Sequence, residues 1–275
     1  MLKLFAFDLD NTLLVDGSIN GRNRESLRAL QNAGKTVALV TGRVLRSPQF
    51  LAAQAGLRAY CIGSNGAVVA TPDGKVLYKE AIDTPVAVQL IQIGIRHRIY
   101  FHFYSQETLF SPYCWPERFD HLIASKTDYG MRMQCNIHIQ ERADLEMGSQ
   151  EMLKIQYFPG EDVDLQNALL RELRGLSSVS ITMSGKGLVE VMSEGVDKWN
   201  GIQVIAQELD LSSEEICAMG DYANDSRMIA EAGMGIAMGN ALPEVKEIAD
   251  RVTSSYSEYG VAQALEQLKE EGLWS

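Results

Sequence analysis

LKLFAFDLDNT, residues 2–12, is the stretch on which the fold turns. Leu2 to Leu9 is nearly continuous in apolar residues, the pattern of a strand buried on both faces rather than one that alternates between core and water. It runs into two carboxylates, Asp8 and Asp10, two residues apart. For both side chains to reach one place the chain must kink after Asp8. Taken alone, Asp8 to Thr12 reads equally well as a strand end followed by polar turn residues.

Outward from this strand, short apolar runs alternate with helical patterns. Asn20 is placed to cap a helix with Leu27 and Leu30 on its apolar face, and Gly34 stands where such a helix ends. Strands follow at Thr36 to Val40 and Ala59 to Gly63, separated by a helix ending near Ala55, and a hairpin at Ala67 to Ala70 and Val76 to Tyr78 closes the unit. Strand, helix, strand, helix, strand predicts an α/β fold, a Rossmann-like doubly wound parallel sheet that takes ligands at the carboxyl ends of its strands. From Thr84 the rhythm changes. A helix, the strands Tyr100 to Tyr104 and Leu109 to Ser111, a helical stretch near Phe119 to Ala124, the strand Leu153 to Phe158, the helix Val163 to Leu173 and the strand Ser178 to Met183 predict an inserted α+β cap domain over residues 84–186. The strand Leu188 to Met192 continues the same hairpin-rich pattern just past that boundary, and the core, 1–83 and 187–275, resumes its α/β alternation at Asp197.

Composition agrees with a globular chain of two unequal parts. The 275 residues are 46% hydrophobic and 22% charged, which excludes disorder and collagen-like repeats. Acidic residues outnumber basic ones 36 to 25, a net charge of -11, and most of the excess falls outside residues 84–186. That balance argues against nucleic acid or an anionic membrane as partner, since both need clustered Lys and Arg. Cys61, Cys114, Cys135 and Cys217 lie far apart without CxxC spacing, the N-terminal apolar run is too short for a signal peptide, and a reducing cytoplasm is the expected location.

Four further features lie at predicted strand ends or helix starts. Gly220-Asp221-Tyr222-Ala223-Asn224-Asp225 follows a buried strand with the oxygen donors a hard cation such as Mg²⁺ needs, although Asn224 and Asp225 also suit helix caps. Thr41-Gly42-Arg43 opens a helix after the second strand, as an anion site does, and as ordinary βα turns also do. Lys198 sits at a helix start, where its charge opposes the dipole unless an anion is nearby; a solvated surface lysine is the simpler alternative. Ser64-Asn65-Gly66 ends the third strand without a carboxylate.

Taken in order, Asp8-Leu-Asp-Asn-Thr12, Thr41-Gly-Arg43, Lys198 and Gly220-Asp-Tyr-Ala-Asn-Asp225 resemble the four motifs of the haloacid dehalogenase superfamily across the whole chain. The insertion resembles the C2-type (C2B) cap of its Cof-type sugar-phosphatase branch, as do Ser64-Asn-Gly-Ala67 and Gly239-Asn-Ala241. Asn11 stands where glycine is frequent, and Trp199-Asn200-Gly201 where glycine usually follows the lysine directly. The resemblance implies a Mg²⁺-dependent phosphatase of small phosphorylated metabolites, sugar phosphates among them. Asp8 would be the nucleophile and Asp10 the acid and base. The metal set would be Asp8, Asp10 through its backbone carbonyl, and Asp221, with Asp225 in support. Thr41, Gly42, Arg43, Asn65, Lys198 and Asn224 would bind the substrate, Thr41 and Lys198 as catalytic residues at the phosphoryl oxygens. Two carboxylates beside a phosphate dianion make the cation a requirement.

Asp10 separates sub-classes, because the dehalogenases lack this second acid and the transport ATPases carry threonine there. A phosphomutase of the same architecture stays open, as does a metal-binding protein without turnover. A phospho-accepting signalling module, by contrast, would need its aspartate after the third strand, where Ser64 stands. Tyr104, Lys154 and Lys186 are candidates to read the leaving group from the cap. His97, His102, His121 and His138 have no metal-ligand spacing and read as packing or surface residues, and Tyr100 to Tyr104 as an apolar strand.

Overall fold

The computed structural model describes residues 1–19, 21–112, 136–140 and 150–274. Asn20, Cys114, Cys135, His121 and the helical stretch expected near Phe119 to Ala124 lie outside these. The first unit is built from β1 (Leu4–Asp8), α1 (Gly21–Asn32), β2 (Thr36–Val40), α2 (Arg46–Ala55), β3 (Tyr60–Gly63), β4 (Val68–Ala70) and β5 (Val76–Lys79). The second holds α3 (Thr84–Arg96), β6 (Tyr100–Tyr104), β7 (Thr108–Pro112), β8 (Asn136–Gln140), β9 (Lys154–Phe158), α4 (Val163–Leu173), β10 (Val179–Gly185) and β11 (Leu188–Ser193). The chain then returns through α5 (Lys198–Glu208), β12 (Ile216–Gly220), α6 (Ser226–Glu231), β13 (Met234–Ala237), α7 (Pro243–Ile248), β14 (Arg251–Val252) and α8 (Gly260–Glu270).

The larger sheet has the order β14-β13-β12-β1-β2-β3-β4-β5, parallel except for the β3–β4–β5 meander. All five residues of β1 are buried, as expected for a central strand covered on both faces. The chain winds outward from β1 through β2 and β3 on one side, and from β12 through β13 and β14 on the other. The order therefore reverses between β1 and β12, and a crevice opens at their carboxyl ends.

The smaller sheet has the order β10-β11-β9-β6-β7-β8, antiparallel apart from β7 with β8. Period-two alternation divides its faces. Phe101, Phe103, Ile155, Tyr157, Val189 and Val191 pack with Leu90, Leu169 and Leu173 of α3 and α4. The residues between them, Tyr100, His102, Tyr104, Lys154, Gln156 and Glu190, lie on the other face and are buried too. That second buried polar face means the sheet is covered on both sides. The boundary expected at residue 186 is corrected here: it cuts the β10–β11 hairpin, and β11 pairs with β9 and β10, so the smaller sheet runs to Ser193. No described helix is long and apolar enough to cross a membrane.

Candidate active site

Parallel register sets the site. Asp8 pairs with Val40 of β2, so Thr41 leaves the sheet beside Asp8, and Phe7 pairs with Met219 of β12, which brings Gly220 and Asp221 to the same level. After Asp8 the chain makes one wide turn closed by Leu14 N–H donating to Leu9 O at 2.9 Å. Asn11 sits in it at φ 57°, ψ 14°, a left-handed conformation that asparagine tolerates better than most residues, which accounts for asparagine or glycine at this point. This is the kink that the two-residue spacing of the acids required.

Carboxylate oxygens of Asp8, Asp221 and Asp225 lie within 4.8 Å of one another, and all three residues are buried. Lys198 Nζ donates to Asp8 Oδ1 at 2.6 Å and to Asp225 Oδ1 at 2.5 Å. Asp225 Oδ2 accepts the backbone N–H groups of Asp221 and Tyr222 at 2.9 and 3.1 Å. Both Asp225 oxygens are thus engaged within the cluster, whereas Asp8 has a hydrogen bond on Oδ1 alone among the described residues. Thr12 Oγ1 donates to Asp221 Oδ1 at 3.2 Å, and Asn240 Nδ2 reaches Asp221 Oδ2 at 3.4 Å and Asn11 O at 3.0 Å.

Three buried carboxylates against one ammonium leave an excess of negative charge. Burial pushes the Asp8 pKa well above the usual range, opposed by Lys198 and reinforced by Asp225, Asp221 and Asp10. Asp221 is raised to about 7 by burial and then by Asp225. Burial disfavours the charge on Lys198, but Asp225 and Asp8 outweigh it and hold the lysine above its ordinary range. An all-oxygen donor set with surplus negative charge suits a hard divalent cation such as Mg²⁺.

Asp10 stands apart from this cluster. Its carboxylate is gripped by the Arg43 fork, with Nε donating to Oδ2 at 2.8 Å and Nη2 to Oδ1. The resemblance assigns its backbone carbonyl, not this carboxylate, to the metal set. Arg43 also reaches Ser47 Oγ at 3.3 Å, so the guanidinium is held by Asp10 and Ser47 in this structure.

A cleft of about 240 Å³ separates the two sheets here. Asp8, Asp10, Thr41, Gly42, Arg43, Lys198, Asp221, Asn224 and Asp225 line it from below, and Tyr104, Lys154, Gln156, Phe158, Ser184, Leu188 and Glu190 from the smaller sheet. Two expectations are corrected. Asn65 is not among the lining residues: its Nδ2 donates to Glu190 Oε2 at 2.8 Å and its Oδ1 accepts from Asn224 Nδ2 at 3.3 Å. Lys186 is exposed and pairs with Glu161 at 2.8 Å, away from the cleft. His102 is a packing residue, as its lack of ligand spacing suggests; burial and then Lys154 lower its pKa to about 3, and it contacts Tyr104 Oη and Gln156 Oε1 at 3.0 and 3.2 Å.

Sequence reasoning passed over Thr12, Gln156, Glu190 and Asn240. Glu190 left a signal, a lone carboxylate inside the otherwise apolar run Leu188 to Met192; Thr12 and Asn240 left none beyond their motifs. The helix start at Lys198 is regular despite Trp199, because Asp197 caps it by accepting Asn200 N–H at 2.7 Å. Gly201 is the glycine that matters, since a Cβ there would lie 2.7 Å from Ile62.

A doubly wound sheet that gathers acids, a lysine and an anion-type loop at its switch point, roofed by an inserted antiparallel sheet, defines an α/β enzyme with a two-part site. The sequence profile of the haloacid dehalogenase-like hydrolases matches residues 5–265, and the chain belongs to that family, in the Cof-type branch its motifs resemble. It is 31% identical over 265 residues to the 5-amino-6-(5-phospho-D-ribitylamino)uracil phosphatase YcsE of Bacillus subtilis, covering 96% of this chain and 94% of the relative. It is 27% identical over 248 residues to an HMP-PP phosphatase of Yersinia pseudotuberculosis, covering 90% and 87%. A solved haloacid dehalogenase-like hydrolase from B. subtilis superposes with a TM-score of 0.87 at 26% identity, covering 97% of this chain and 100% of the other.

Proposed function

We propose that this hydrolase is a Mg²⁺-dependent phosphatase of small phosphorylated metabolites, working through an aspartyl-phosphate on Asp8. The observation that carries the reading is the placement of Asp8: Lys198 holds Oδ1 at 2.6 Å, while Oδ2 accepts no hydrogen bond among the described residues and adjoins the cleft. Relatives named for phosphatase activity on a phosphoribityl compound and on HMP-PP support the substrate class.

Asp8 and Asp221, with the Asp10 carbonyl, would hold Mg²⁺, and Asp225 would orient Lys198 and the loop after β12. When bound, the cation neutralises these acids and draws charge from the transferring phosphoryl oxygens. Asp8 Oδ2 attacks phosphorus, the new oxygen–phosphorus bond forms as the ester bond breaks, and the leaving alkoxide takes a proton from Asp10. Asp10 then takes a proton from water, whose oxygen attacks phosphorus and frees Asp8 and phosphate. Lys198, the Thr41 hydroxyl and the Gly42 N–H stabilise the charge on the phosphoryl group, which is the main demand of phosphoryl transfer. The smaller sheet serves as a cap that excludes water and contacts the leaving group.

Assay of free phosphate from a panel of phosphorylated metabolites, with and without Mg²⁺, tests the reading. Asp8→Asn should abolish release on every ester, and retention of full activity by that variant defeats the nucleophile assignment. Return of the phosphoryl group to substrate, with no free phosphate, would identify a phosphomutase instead.

A further inference from the structure

The loop Thr41-Gly42-Arg43 has three consecutive carbonyls, and they are held from different places. Thr41 O accepts Asn65 N–H at 3.0 Å and Arg43 O accepts Ser64 N–H at 2.7 Å, both from the loop after β3 in the same sheet. The middle one, Gly42 O, accepts Lys154 Nζ at 2.6 Å, a side chain from the other sheet. The N–H on the far side of that same peptide plane, Arg43 N, donates to Thr41 Oγ1 at 3.2 Å. A single rigid peptide therefore links the Lys154 ammonium to the Thr41 hydroxyl. With its oxygen accepting from Arg43 N–H, the Thr41 hydroxyl has its proton left to donate into the cleft, which Thr41 lines.

Lys154 is itself fixed. Its ammonium pairs with Glu190 and stands 4.7 Å from the centre of the Tyr104 ring, and both charged residues are 1% exposed. Glu190 in turn accepts from Asn65, which accepts from Asn224. Gly42 makes this convergence possible: a Cβ there would lie 3.0 Å from Asn65 Oδ1, 3.2 Å from Lys154 Nζ and 3.5 Å from Glu190 Oε1. Both residues also line the cleft, yet the Lys154 ammonium spends its donors on Glu190 and Gly42 O. The pair is turned on the phosphoryl-binding loop.

We infer that Lys154 is a positioning residue for the phosphoryl subsite, acting through the Gly42–Arg43 peptide on the Thr41 hydroxyl, and that Glu190 holds it there. The inference rests on the phosphatase reading and extends it: the phosphoryl subsite is complete only when the smaller sheet supplies its lysine. A positioning residue affects all esters alike, whereas a residue that reads the leaving group affects them according to what they carry.

The test uses the full-length, Mg²⁺-loaded protein with Lys154→Met and with Lys154→Met/Glu190→Gln; the double variant strands no buried carboxylate and guards against a folding defect. Phosphate release is measured from p-nitrophenyl phosphate, phenyl phosphate and a hexose 6-phosphate. Both variants should lose about 10²-fold in kcat/KM, the scale of a misplaced binding group, and by the same factor on all three esters. Inorganic phosphate should bind more weakly by calorimetry, and amide hydrogen exchange in the peptide spanning Thr41 to Val44 should rise in the folded variants. A loss confined to the bulky ester overturns the inference, as does a double variant that recovers activity, or unchanged phosphate affinity with unchanged exchange. A wild-type protein that releases no phosphate from any ester sinks the phosphatase reading instead, and phosphate affinity and exchange still decide the role of Lys154.

Discussion

Lys198 and Asp8, 190 residues apart in sequence, are joined at 2.6 Å in the interior, and the same ammonium holds Asp225. One buried cation thus separates two buried carboxylates that would otherwise repel at close range. Removing one partner of a buried ion pair costs about 3–5 kcal/mol, because the remaining charge is left without compensation. Lys198→Met should therefore destabilise the Mg²⁺-free protein on that scale at pH 8 and less at pH 5, toward which Asp8, its pKa raised by burial, takes up a proton. Urea unfolding in chelator at the two pH values measures it, and equal losses at both would contradict the arrangement.

Asp221 gives the metal-free protein a pH dependence of definite sign. Its pKa is raised to about 7 in the folded state, against 3.8 ordinarily. Between those values the folded protein keeps a proton that the unfolded chain has lost, so stability from this group is highest below the unfolded value and falls as pH rises, levelling off above about 7. Asp8 is shifted in the same direction. Mg²⁺ binds the ionised carboxylates and releases protons. The rise in Tm on adding Mg²⁺ should be larger at pH 8 than at pH 6; a thermal melt series showing the same rise at both would remove the acids from the metal site.

Gly66 should be intolerant of a side chain for a reason that reaches Lys198. It adopts φ +102°, and a Cβ would fall 1.9 Å from the carbonyl oxygen of Asp197, the residue that caps the helix beginning at Lys198. Gly66→Ala must displace one backbone or the other. Backbone strain alone is worth roughly 1–3 kcal/mol. The expected result is a lower urea midpoint together with reduced kcat/KM, since the helix start carrying the lysine moves; a fully active Gly66→Ala would mean that α5 does not depend on this contact.

The core of the site was legible because its residues sit where chain geometry is simple. A buried strand ending on Asp8, a second ending before Thr41 and a third ending before Asp221 need only parallel register to meet, and register follows from the fold class. The pairing of Asp10 with Arg43 was not legible, because it depends on how a wide turn aims one side chain and a long guanidinium another. The smaller sheet was harder for a different reason. Both of its faces are buried, so Lys154 and Glu190 stand in runs that read as core strands, and only the cross-strand register, Tyr104 with Lys154 and Gln156 with Glu190, brings them together. A boundary at residue 186 divides the β10–β11 hairpin because a change of sequence pattern locates a domain edge only to within several residues.

Asp10 provides the sharpest division of labour with Asp8. Its carboxylate is half-exposed, outside the acidic cluster and gripped by Arg43, whereas Asp8 is buried and held by Lys198. A group placed that way can move a proton without carrying the phosphoryl group. If it protonates the leaving oxygen, its importance must grow with the basicity of that oxygen. p-Nitrophenolate departs readily unprotonated, while a sugar alkoxide does not. Asp10→Asn should therefore lose activity on an alkyl phosphate by about 10²–10⁴-fold, the range for general acid–base catalysis, and lose less in the first, bond-breaking step with p-nitrophenyl phosphate. Burst kinetics separate the steps: a pre-steady-state burst of p-nitrophenol followed by slow turnover would mark Asp8 still accepting the phosphoryl group while water attack stalls without its base. An equal loss of the burst on p-nitrophenyl phosphate and of turnover on alkyl phosphates would instead mean that Asp10 shapes the site, and that the proton travels by another group.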